Sequence, residues 1–187
     1  MYDKGLTMGA TFCYTNSMEN KVIKRIFVDM DGVLADFNTG VETLTGREFP
    51  NTDAGHNDYD ERKEELTNKR LFRNLPPMPD MYDLIAYIRH TGLPWEILTA
   101  AGVINRELVV FDKNEWIREY VSPSVVVTCT MTGSQKGMFA IKGSVLIDDR
   151  KKNLEAWEKH GGIGILHTSA EDTINQLKAL RNGVDGE

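Results

Sequence analysis

Cysteine is nearly absent from this chain, with only Cys13 and Cys129 among 187 residues. Their positions offer neither the spacing of a metal knuckle nor a disulfide framework, so both read as reduced thiols. No apolar run approaches the roughly 18 residues that a membrane crossing needs. The opening MYDKGLTMGATFCYTNSMENK lacks the apolar core of a signal peptide, which makes a cytoplasmic location the expectation. Excess positive charge is missing too. Lys and Arg number 22 against 28 Asp and Glu, a net charge of −6 that argues against a polymeric nucleic-acid partner. His56, His90, His160 and His167 are scattered and suggest neither a zinc site nor a triad. Internal repeats and low-complexity segments are absent as well.

What remains is an ordinary globular composition, 41% hydrophobic and 27% charged, of a size suited to one domain. Residues 1–21 are polar and without periodicity and read as a mobile N-terminal extension, in which Met8 and Met18 could serve as alternative starts. From Val22 onward, apolar runs alternate with helical patterns. Strands are expected at Arg25–Val28, Trp95–Leu98, Ser124–Thr128, Ser144–Ile147 and Gly162–Leu166. Asp80 can cap a helix that buries Met81, Leu84, Ile85 and Ile88 and stops at Gly92. Val109, Trp116, Ile117 and Tyr120 share another helical face. Leu154 and Trp157 mark a short helix, and Ser169 with Asp172 opens the last one. Such alternation predicts an α/β fold, a Rossmann-like parallel sheet with helices on both faces. Residues 38–79 interrupt it: polar, with one charged helical stretch (Asp60–Arg70), and too long for a simple loop. The expected division is a core of 22–37 and 80–187, with 38–79 a small, mainly helical cap inserted after the first strand.

The chemistry begins at DMDGVLADF, residues 29–37. Asp29 and Asp31 end the first strand and Thr99 the second. Lys136 follows the third, and Asp148-Asp149 end the fourth. Parallel sheets carry ligands at the carboxyl ends of their strands, where all these groups would converge. Clustered carboxylates repel unless a cation sits among them, and hard oxygen donors with room for water and phosphate suit Mg²⁺. Thr99 and Lys136 could hold a phosphoryl group, Asp29 attack its phosphorus, and Asp31 move the protons. Gly32 lets the backbone turn sharply beside the metal. The phosphate lysine is Lys136 by preference, with Lys142 the alternative.

Asp29-x-Asp31-Gly32, Thr99, Lys136 and Asp148-Asp149 resemble, in order and spacing, the four motifs of the haloacid dehalogenase superfamily of phosphatases. DMDGVLADF, FRNLPPMPD, WEILTAAG, KNEWIREY, VLIDDRKKN and GGIGILHTS are similar to the 5'(3')-deoxyribonucleotidase family, over about residues 24–170. The resemblance implies Mg²⁺ and hydrolysis of (deoxy)ribonucleoside monophosphates through an aspartyl-phosphate, and it suggests a homodimer. It makes Asp29 nucleophile and metal ligand, and Asp31 acid/base and, through its carbonyl, a metal contact. Asp148 and Asp149 complete the metal site, Asp149 being the first choice for direct ligation. Phosphate falls to Thr99, Ala100 and Lys136; Ala100 stands where relatives often carry Ser, so a hydroxyl contact is missing. Phe37, Phe72, Arg73 and Arg150 are candidates to touch substrate. Two other readings stay open: the same chemistry on a sugar phosphate or similar small phosphomonoester, and a phospho-acceptor signalling domain.

Overall fold

The computed structural model describes residues 23–49 and 53–182. The expectations for the N-terminal extension, with Met8, Met18 and Cys13, lie outside the described residues, as does the side chain of His56. Five strands form one parallel sheet: β1 (Arg25–Val28), β2 (Trp95–Ala100), β3 (Val127–Thr130), β4 (Ser144–Asp148) and β5 (Ile163–Leu166). Their order is β3-β2-β1-β4-β5, so the winding reverses between β1 and β4. A crevice opens at such a reversal, beyond the carboxyl ends of the two strands. Those ends carry Asp29 and Asp148.

Side chains alternate across a strand, and the sheet buries both faces accordingly. Ile26, Val28, Ile97, Val145 and Ile147 face one core, with α3 (Met81–His90), α4 (Arg106–Tyr120) and α6 (Ala170–Asn182) packed on it. Phe27, Leu98 and Leu146 face the other, against Leu154 and Trp157 of α5 (Lys151–Glu158). A 3-10 segment, Gly133–Phe139, packs beside α5.

Between β1 and α3 the chain forms α1 (Phe37–Thr45), α2 (Asp53–Asn68) and a 3-10 turn, Leu71–Arg73. The charged stretch expected over Asp60–Arg70 is therefore the second half of a longer helix that stops before Arg70. Asp36 is the N-cap of α1, accepting from Thr39 N at 3.0 Å and Thr39 Oγ1 at 2.8 Å. Asp80 does precede α3, but its carboxylate caps a different helix. Asp80 Oδ2 accepts from Ala170 N at 2.6 Å, tying the start of α6 to the start of α3. Ser169 caps α6 as its spacing predicts, with Asp172 N donating to Ser169 Oγ at 3.2 Å.

Candidate active site

Backbone geometry places the first acidic pair. The chain leaves β1 in a tight turn in which the amides of Val33, Leu34 and Ala35 all donate to Met30 O. Gly32 sits there at φ +77°, in the left-handed region that favours glycine. A Cβ at Gly32 would run into the carboxylate of Asp149, so glycine also lets the β4 end approach the β1 end.

Asp29, Asp148 and Asp149 each bring a carboxylate oxygen within 4.8 Å of the others. Lys136, buried, answers part of that charge: its Nζ lies 2.7 Å from Asp29 Oδ2 and 2.6 Å from Asp148 Oδ2. Burial alone would pull the lysine pKa down, but Asp29 and Asp148 more than reverse this and hold it protonated. Asp148 has little left to offer, since Asn153 Nδ2 donates to both its oxygens and Arg150 N to Oδ1. Asp149 differs. Its Oδ1 is buried without a hydrogen-bond partner. Burial first, then the negative charges of Asp29 and Asp148, push Asp149 up to about 7. Burial and Asp29 likewise push Asp148 up to about 6.

Opposite this cluster stands Lys113 of α4, whose side chain is 0% exposed in the fold. Its Nζ donates to Asp31 Oδ2 at 2.5 Å and to Thr99 Oγ1 at 2.9 Å, and lies 4.8 Å from the centroid of Phe72. Asp31 Oδ1 is buried and unpartnered. Burial raises the Asp31 pKa, with Lys113 pulling against it. Because the Thr99 oxygen accepts from Lys113, its own proton remains available to an anion. Phe37 makes ring contacts with Phe49, Tyr59 and Phe72, forming an aromatic wall from the insertion. Burial and the nearby charge of Asp31 raise the Tyr59 pKa, so the phenol keeps its proton.

The motifs anticipate an acidic crevice with a lysine at the carboxyl ends of a parallel sheet; the fold adds a second buried lysine, Lys113. The family model described as "5' nucleotidase, deoxy (Pyrimidine), cytosolic type C protein" matches residues 21–180. The chain belongs to this family. The cytosolic-type 5'(3')-deoxyribonucleotidase of Homo sapiens is 23% identical over 159 residues, covering 72% of this chain and 77% of that protein. Among solved structures, a haloacid dehalogenase-like hydrolase from Streptococcus pneumoniae superposes with TM-score 0.51 at 13% identity, covering 86% of this chain and 98% of that one. D,D-heptose 1,7-bisphosphate phosphatase from Burkholderia thailandensis gives 0.51 at 11%, covering 83% and 99%. At such identities these two show the fold alone. The resemblance read from the motifs is right at family level, and the chain is a phosphoric monoester hydrolase of nucleotidase type.

In this nucleotidase, the structure brings Asp29, Asp31, Thr99, Lys136, Asp148 and Asp149 to one sheet edge. Ala100 ends β2 beside them. Of Lys136 and Lys142, Lys136 is buried against Asp29 and Asp148, whereas Lys142 is exposed, ahead of β4. Phe37 and Phe72 share the aromatic wall. Arg73 does not join: its Nη2 is held by Glu119 at 2.5 Å. Arg150 is exposed and contributes its backbone amide to Asp148. Cys129 is a free, half-buried thiol whose pKa burial raises. Sequence reasoning missed Lys113 and Asn153. Lys113 did leave a signal, falling within the helical stripe of Val109, Trp116 and Ile117, where a lysine must be buried with a partner. Among the described residues no helix is long and apolar enough to cross a membrane.

Proposed function

We propose that this chain hydrolyses (deoxy)ribonucleoside monophosphates to nucleoside and phosphate, with Asp29 as nucleophile and Mg²⁺ as cofactor. The observation that carries the reading is the division of labour among the carboxylates: Asp29 faces Asp148 and Asp149, while Asp31 turns to Lys113, which also donates to Thr99.

The donor set fits a hard divalent cation. Asp149 Oδ1, buried within the Asp29–Asp148–Asp149 cluster, has no hydrogen-bond partner, and Lys136 neutralises only part of the cluster. Asp29 and Asp149 would hold the cation, with the backbone carbonyl of Asp31; Asp148, committed to Lys136 and Asn153, would orient the set. When bound, Mg²⁺ supplies charge neutralisation for the phosphoryl oxygens.

An Asp29 oxygen attacks phosphorus, and the bond to the ester oxygen breaks. Asp31 gives that oxygen its proton through Oδ1, the atom that Lys113 leaves free. Water then attacks the aspartyl-phosphate, Asp31 takes its proton, and phosphate departs with the Asp29 carboxylate restored. Thr99 and Lys136 hold the phosphoryl oxygens, with the Ala100 backbone alongside, and Lys113 keeps Asp31 aimed. The insertion, residues 38–79, serves as the cap; its Phe72, with Phe37 just before the insertion, offers a ring against a base. Arg150 remains a candidate contact at the rim. Met131, Met138, Phe139 and Ile141, exposed in the segment between β3 and β4, support a homodimer, and a cytoplasmic location completes the proposal.

A panel of deoxyribonucleoside monophosphates, ribonucleotides and sugar phosphates, assayed for phosphate release with Mg²⁺, tests the substrate class. Nucleotides should be preferred. Hydrolysis of sugar phosphates without nucleotides would overturn it. Asp29→Asn should lose at least about a thousandfold in kcat, since an amide cannot form the acyl phosphate.

A further inference from the structure

Beside the buried bond from Trp116 Nε1 to Leu75 O at 2.7 Å, three side-chain pairs fasten the insertion to one face of α4 and its N-cap Asn105. Asn105 Nδ2 donates to Asn68 Oδ1 at 2.8 Å, and Arg73 Nη2 to Glu119 Oε2 at 2.5 Å. Between them, Arg70 grips Asp112 with a fork: Nε to Oδ1 at 2.8 Å and to Oδ2 at 3.0 Å, and Nη2 to Oδ1 at 2.5 Å. Asn105, Asp112 and Glu119 stand roughly two helical turns apart, so the contacts run as a seam along α4. Only the central one involves a buried acid, since the Asp112 side chain is 1% exposed. Arg70 adopts φ +62°, ψ +40°, a left-handed conformation uncommon for a non-glycine residue. That strained residue joins the end of α2 to the turn that carries Phe72.

The next residue of α4 after Asp112 is Lys113, and the ring two residues beyond Arg70 packs on its Nζ. The fork and the ring therefore hold the insertion and the Lys113 ammonium in one register. We infer that the Arg70–Asp112 pair is a positioning device: seating the insertion on α4 sets Lys113 against Asp31, so that the proton-transfer group is aimed only when the insertion is docked. Arg70 and Asp112 touch none of the reacting atoms and act through Lys113. The inference rests on the phosphatase reading above and adds to it a coupling between the insertion and the acid/base residue.

The test compares wild type with Arg70→Lys and with the double variant Arg70→Met/Asp112→Leu. The lysine keeps the charge but loses the fork. The double variant removes the pair without leaving a buried charge unpaired, a change folded proteins commonly tolerate. With p-nitrophenyl phosphate, the double variant should lose about tenfold in kcat while KM moves less than threefold, and Arg70→Lys should fall between. Hydrogen exchange should quicken over residues 60–75 of the double variant and stay unchanged in the sheet. Unchanged kcat together with unchanged exchange overturns the inference, as does a loss confined to KM. Wild type that releases no phosphate from any ester would instead defeat the phosphatase reading, and exchange alone would then decide whether the pair docks the insertion.

Discussion

Replacing Lys113 by methionine keeps the length of the side chain and removes its charge. Asp31 Oδ2 would then lose its donor at 2.5 Å and Thr99 Oγ1 its donor at 2.9 Å. Nothing else in the described structure could take over, because the other buried lysine, Lys136, is committed to Asp29 and Asp148. Preorganised donors of this kind are worth about 10²–10³ in kcat when removed. Lys113→Met should therefore lower kcat by about that factor, with a smaller change in KM, measured by steady-state phosphate release. A kcat within threefold of wild type would remove Lys113 from the site. The paired carboxylates, Thr99 and Lys136 were legible from sequence because each ends or follows a strand of a recognisable parallel sheet. Lys113 was not, because helix periodicity reports which face is buried and not what a buried cation meets. Arg73 shows the converse: as an arginine it was a candidate to reach substrate, but only the folded chain reveals Glu119 beside it.

Elements were readable to within two residues wherever hydrophobic pattern alone sets them, as in β1, β2, β4 and β5. The third strand slipped. Val125, Val126 and Val127 look like one apolar run, but Val125 belongs to a turn built on Ser122, with Ser124 N donating to Ser122 Oγ at 3.2 Å. Val126, 59% exposed, offers β2 only its carbonyl, which accepts from Ile97 N at 2.9 Å, and the strand proper starts at Val127. Segment 133–139 shows how close packing places a functional side chain. A Cβ on Gly137 would meet the carbonyl oxygen of Ala156 in α5 at 2.5 Å, backbone that cannot swing aside. Gly137→Ala should destabilise the fold by about 1–3 kcal/mol, the usual range for overpacking. Because Lys136 is the adjacent residue, the same shift should draw its Nζ from Asp29 and Asp148 and lower kcat. Urea titration and phosphate release check the two effects together. A fully stable, fully active Gly137→Ala would show that the segment does not position the lysine.

At the scale of the whole molecule, the winding reversal stores like charge where the two halves of the sheet meet. Asp149 is pushed up to about 7 and Asp148 to about 6, both from an ordinary 3.8, so the folded state binds protons more readily than the unfolded chain between those values. Stability contributed by the protonated forms is then present at low pH and lost as pH rises toward about 7. Metal-free protein should accordingly melt lower at pH 8 than at pH 5.5 as far as these two groups are concerned. Mg²⁺ should remove most of that difference. At 100 times its Kd, a ligand that binds only the folded state adds about 2.7 kcal/mol, which for a chain of this size corresponds to roughly 5–10 °C in Tm. Asp149→Asn separates the two contributions, since it deletes a charge from the cluster and also the oxygen left free for a cation. The variant should melt higher than wild type without metal at pH 8 and gain little from Mg²⁺. An equal Mg²⁺ gain in both proteins, read by thermal unfolding, would place the cation away from Asp149 and leave its unpartnered oxygen without an explanation in metal binding.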